Sequence, residues 1–123
     1  MQNALAVVIG GGLGALCRYG AAVACVRWLA ESAVYSTLIV NVVGCLLLGL
    51  FAASTYGREV LANAAIAVGF LGGLTTFSTF GLETMRLLQS GSITHALPNV
   101  GANVTLGLAG VALGLYGGRW LHA

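Results

Sequence analysis

The residues best suited to chemistry in this chain share one short stretch, Gly72-Gly73-Leu74-Thr75-Thr76-Phe77-Ser78-Thr79-Phe80-Gly81. Two adjacent glycines followed by β-branched threonines lower helix propensity. Where water cannot reach the backbone, two outcomes are open. Either the helix runs on, with threonine hydroxyls bonding back to the preceding turn and glycines serving close packing, or it breaks and its freed carbonyls face an ion. Phe77 and Phe80 are spaced to project from one helical face. They are apolar filler or, alternating with Ser78 and Thr79, a surface of ring edges and hydroxyls. The positive edge of an aromatic ring can approach an anion, and nearby hydroxyl or amide donors would complete a partial hydration shell. Asn41, alone in the middle of the second apolar run, is such a donor. A membrane asparagine also serves as interhelical glue worth about 1 kcal/mol.

Other chemistry is poorly supplied. The charged residues are Arg18, Arg27, Glu31, Arg58, Glu59, Glu83, Arg86 and Arg119, with no lysine or aspartate. No acid falls in the middle of an apolar run; Glu83 comes closest, about two turns after the glycine–threonine segment. That argues against proton-coupled exchange, which relies on membrane carboxylates. The absence of HExxH and of paired aspartates argues against an intramembrane protease or metalloenzyme. Ser78 lacks a convincing base, since His95 and His122 belong to a loop and the C-terminus. The chain is not read as an enzyme. Cys17, Cys25 and Cys45, odd in number and without a CxxC, are expected to pack as small apolar residues, with no metal or redox role.

The elements that must position these residues follow from composition. Of 123 residues 59% are hydrophobic and 7% charged, against about a quarter charged in soluble domains, so lipid is the solvent. A bilayer core of about 30 Å needs roughly 20 apolar helical residues. The runs between charges meet that length, and four transmembrane helices are expected at about 4–28, 36–56, 60–89 and 97–121, in a single domain covering 1–123. The apolar stretch at the N-terminus has no basic region before it, unlike a signal peptide. Continuous apolar runs rather than alternation exclude a β-barrel. Gly10 and Gly14 form a GxxxG spacing for close helix approach. Asn99, Asn103, Gly107, Gly110 and Gly114 line one face of the fourth helix, and Pro98 suits its start. Arg18 lies roughly 21 Å along the first helix, from where it can snorkel to an interface beside Tyr19, or concentrate anions at a pore mouth.

Four spans put Arg58 and Arg119 on one side and Arg27, Arg86 and Arg18 on the other. That is almost none of the positive-inside bias that sets orientation. Either a few residues tip the balance, or the chain inserts both ways up and two copies pair antiparallel about an axis in the membrane plane. One four-helix chain has little interior in which to hide its polar residues, which favours the dimer.

Three segments in order, Gly11-Gly12-Leu13-Gly14-Ala15-Leu16-Cys17-Arg18-Tyr19, Thr37-Leu38-Ile39-Val40-Asn41-Val42-Val43-Gly44 and Gly72 to Phe80, resemble the Fluc, or CrcB-type, family of fluoride channels. The likeness covers the whole chain, and the third segment is its most specific part. It implies an all-α membrane protein of four transmembrane helices per chain, the third broken at mid-membrane, assembled as an antiparallel dual-topology homodimer. It implies passive export of cytoplasmic fluoride through two antiparallel pores, with lipid, fluoride and a second copy as partners and no nucleic acid. The expected location is the cell membrane, as a multi-pass protein of a bacterial inner membrane. By the same resemblance, backbone carbonyls of Gly72 and Thr75 from each chain would hold one structural sodium ion. Phe77 and Phe80 would turn ring edges to fluoride, Asn41, Ser78 and Thr79 would line the pore, and Arg18 would sit near the vestibule. The fourth helix departs from the hydroxyl-bearing track of the family, offering Asn103, Thr105 and Gly107. Asn103 and Thr105 are the pore-lining candidates. The alternatives are a small multidrug-type dual-topology antiporter, which needs a glutamate that the first helix lacks before Arg18, and a non-transporting assembly subunit.

Overall fold

The computed structural model describes residues 1–28 and 33–121. Glu31 and His122 lie outside the described residues. The described chain is helical. Helix α1 is Gln2–Trp28 and α2 is Ala33–Ala53. A 3₁₀ turn, Thr55–Arg58, leads to the third span, Val60–Gln89. That span comprises α3 (60–74) and α4 (Phe77–Gln89), and α5 (Ile93–Leu121) closes the chain. Four stretches are long and apolar enough to cross a bilayer, as the composition predicts.

Three boundaries differ from the sequence reading. The second helix starts at Ala33, before residue 36. The second helix stops at Ala53, before residue 56, because the Ser54 hydroxyl and its N–H both turn back to the Phe51 carbonyl, at 2.7 and 3.0 Å. The fourth begins at Ile93, before residue 97, so Pro98 lies inside it. The cause is a tight reversal after α4: Gly91 takes φ 76°, Ser92 N–H returns to the Leu87 carbonyl at 2.9 Å, and Ala96 N–H already bonds Ser92 at 3.0 Å. Once the turn is that short, α5 starts before the proline.

Glycines set the packing. On α1, a Cβ at Gly14 would run into the Phe70 carbonyl oxygen and come within 2.8 Å of Leu74 N, so the α1 and α3 backbones touch there. The α3 side of this contact is a π-helical stretch, Asn63–Leu71. A second, equally extensive interface pairs α2 with α5. Gly107, Gly110, Gly114 and Gly118 are buried along it, the face expected to be small and polar. The core proper is small: Val40, Leu71 and Leu74, with Ala21 and Phe70 against them. Large apolar side chains such as Leu5, Val68, Leu108 and Trp120 face outward, which suits lipid or another copy as solvent.

Candidate functional site

The third span interrupts its ladder at the glycine–threonine segment. Thr75 (φ −78°, ψ 154°) and Thr76 (φ −150°, ψ 114°) are extended between α3 and α4. Thr75 N–H makes the last helical bond, to Leu71 at 3.0 Å, and its hydroxyl reaches the same carbonyl at 2.9 Å. Thr76 N–H, which an unbroken helix would give to Gly72, goes instead to Oδ1 of Asn41 at 2.8 Å. Asn41 Nδ2 in turn donates to the Thr76 carbonyl at 3.2 Å and to Oδ1 of Asn103 at 3.0 Å. Asn41 thus acts as a surrogate backbone partner, leaving the carbonyl of Gly72, an exposed residue, without the Thr76 N–H of a continuous helix.

The hydroxyls then start the next helix. Thr76 caps α4 by accepting from Thr79 N–H at 3.3 Å, and its own hydroxyl donates to Oγ1 of Thr79 at 3.0 Å. Phe77 and Phe80 follow on one face with ring centroids 5.5 Å apart and planes at 61°, edge toward face. Phe80 is 8% exposed and Phe77 83%, so the pair runs from the interior to the open side of the chain.

Two cavities meet at this point. An open groove of about 440 Å³ is lined by Asn41, Gly72, Thr75, Thr76, Phe77, Phe80 and Asn103, among others. A second cavity of about 280 Å³ holds Arg18, Ser36, Thr37, Thr79 and Glu83. Thr76 borders both. The structure therefore gathers Asn41, Gly72, Thr75, Phe77, Phe80 and Asn103 in the groove and places Arg18 and Thr79 in the neighbouring cavity. Ser78 is exposed and linked to Thr76 across 3.4 Å between hydroxyls. Thr105 is not brought to the groove: its hydroxyl folds back on Gly101 at 2.6 Å, on an exposed face of α5.

Sequence reasoning left out two pairings. Thr37 donates to Oε1 of Glu83 at 2.8 Å, in the Arg18 cavity, and Glu83 is buried. Among the described residues, Oε2 of Glu83 is the buried side-chain oxygen without a hydrogen-bond partner. Asn99 is buried as well and donates to Thr84 at 3.0 Å. A carboxylate within an apolar span was the available signal for the first pairing; nothing local pointed to Thr37 or Thr84 as partners. Of the cysteines, Cys25 is buried, Cys17 exposed and Cys45 half-buried, all as free thiols.

Long apolar helices packed through glycine, enclosing a polar seam at an interrupted helix, define a multi-pass helical membrane protein. The family described as CrcB-like protein, Camphor Resistance (CrcB), matches residues 5–115, and the chain belongs to that family. Among similar proteins, one from Dehalococcoides mccartyi named fluoride-specific ion channel FluC is 40% identical over 124 residues, covering 98% of this chain and 95% of its own. Proteins of the same name from Aeromonas salmonicida, 42% identical with 94% of each chain covered, and Hydrogenovibrio crunogenus, 38% identical over 94% of this chain and 89% of its own, agree with it.

Proposed function

We propose that this chain is one subunit of a fluoride-selective channel, an antiparallel homodimer through whose two pores cytoplasmic fluoride leaves the cell passively. The observation that carries this reading is the extended Thr75–Thr76 segment held by Asn41 beside the edge-on phenylalanines. The similar proteins named for fluoride support the choice of ion.

Fluoride is small and strongly hydrated, so a narrow path must replace its water with donors. Arg18, the cation of the neighbouring cavity it shares with Glu83, would draw anions toward that cavity. The Thr76 and Thr79 hydroxyls, the Asn41 amide and the positive edges of Phe77 and Phe80 then take the place of water. Asn103 belongs to this lining and Thr105 does not. Exposed Phe77 and Ser78 project where a second copy would meet them.

Gly72 and Thr75 would hold the structural sodium ion. The fit rests on the donor set: backbone oxygens released from the helical ladder, which suit a hard cation. A two-fold related copy would double them. The ion would supply positive charge that offsets the anion's desolvation, and it would make carbonyls tolerable deep in the span, which the reading places at mid-membrane.

Liposomes containing only this protein, loaded with fluoride or with chloride, test the proposal. Fluoride is expected to leave rapidly while chloride stays. No fluoride efflux, or equal chloride efflux, overturns it.

A further inference from the structure

Six hydrogen bonds, two of them from Asn103 to Asn99, join Thr76 to α4 by a route through two other helices. Thr76 N–H donates to Oδ1 of Asn41 at 2.8 Å, and Nδ2 of Asn41 donates to Oδ1 of Asn103 at 3.0 Å. Nδ2 of Asn103 donates to Oδ1 of Asn99 at 3.0 Å and also to the Asn99 carbonyl at 3.0 Å. Nδ2 of Asn99 donates to Oγ1 of Thr84 at 3.0 Å, whose hydroxyl donates to the Phe80 carbonyl at 2.8 Å. Every bond points the same way. A backbone N–H can only donate and a carbonyl can only accept, so both ends dictate that direction and the three amides between have one arrangement that satisfies all. Head-to-tail bonds in a low-dielectric interior strengthen one another.

We propose that Asn103 is a positioning residue: it sets the orientation of the Asn41 amide and so keeps Thr76 N–H away from the Gly72 carbonyl. The carbonyl of Asn99 holds the Asn103 amide with its oxygen toward Asn41. Without that oxygen, the Asn41 amide is held by Thr76 alone, through the N–H at 2.8 Å and the longer bond to the carbonyl at 3.2 Å, and it rotates more readily. Once rotated, Asn41 presents NH₂ to Thr76 N–H, donor against donor, and the Thr76 N–H turns back to Gly72. The carbonyl then re-enters the helical ladder. The link to a bound cation rests on the channel reading; the hydrogen-bond relay does not.

The test uses the full chain in lipid nanodiscs and NMR of two groups, the Asn41 side-chain amide and the Gly72 carbonyl carbon. Asn103→Leu conserves volume and removes the amide. It is expected to speed hydrogen exchange at the Asn41 side chain about tenfold, the loss of one hydrogen bond, and to shift the Gly72 carbonyl resonance. Asn103→Asp, which when protonated offers one oxygen to accept from Asn41 and an O–H to donate to Asn99, is expected below the carboxyl's pKa to bring both signals back toward wild type. If Asn103 only fills space, or touches the ion directly, Asn103→Leu leaves both signals unchanged, and the proposal is overturned. Should Asn103→Leu not fold, Asn99→Leu removes the side-chain anchor of Asn103, and the same signals are expected to move less far; no movement overturns the proposal equally. Neither signal depends on flux, so a protein that fails to conduct fluoride sinks the channel reading and leaves this test standing.

Discussion

Phe80 is the residue at which ring chemistry and packing can be separated. It is buried in the groove, edge to face with Phe77, and isoleucine can fill most of its space without a positive ring edge. Phe80→Ile is expected to leave assembly intact on gel filtration and lower fluoride efflux at least about tenfold, roughly 1.4 kcal/mol at the barrier. Unchanged efflux removes Phe80 from the pathway. The importance of this stretch was legible because its residue types contradict their surroundings. Its partners were not. Asn41 and Asn103 are separated by 62 residues, and Thr37 and Glu83 by 46. A side chain's type states that it needs a hydrogen bond when buried; only the packing of helices says with whom.

At the scale of elements, two glycines on α1 make opposite predictions. Gly14 has no room for a Cβ, because backbone of α3 lies against it, whereas a Cβ at Gly12 meets nothing within 4 Å. Gly14→Val is expected to destabilise the fold by about 3 kcal/mol or more, since backbone cannot step aside as a flexible side chain can. Gly12→Ala should change little or add a few tenths of a kcal/mol through helix propensity. Unfolding midpoints in mild detergent check both; equal effects would remove the close approach from the account. The GxxxG spacing was readable, since hydrophobic run length and small-residue periodicity are local properties. The register of helix ends was less so. The start of α5 depended on how tightly Gly91 and Ser92 reverse the chain, and a proline tolerated inside the helix concealed it.

For the molecule as a whole, one chain leaves too little interior for its polar seam. The groove at Asn41 and Phe77 is open along one side, and the arginines divide almost evenly between the two ends of the spans. If the chain inserts both ways up, C-terminal fusions to a reporter active only in the cytoplasm and to one active only outside it should both report. Signal from just one of them overturns the antiparallel pairing. Purified protein should run at twice the 12.5 kDa of one chain, after correction for detergent.

Composition alone determined that this protein lives in lipid and crosses it as helices, because charge content and run length answer directly to bilayer thickness and to the cost of an unpaired backbone. Residue types alone also singled out the stretch from Gly72 to Phe80 and the distant Asn41 as candidates for an ion path. Only the tertiary structure decided that Asn41 stands in for the helix at Thr76, that Asn103 rather than Thr105 joins it, and that Glu83 turns inward to Thr37. The physical reason is that solvation and span length are summed along the chain, whereas a hydrogen bond is decided by which atoms three packed helices bring within about 3 Å of each other.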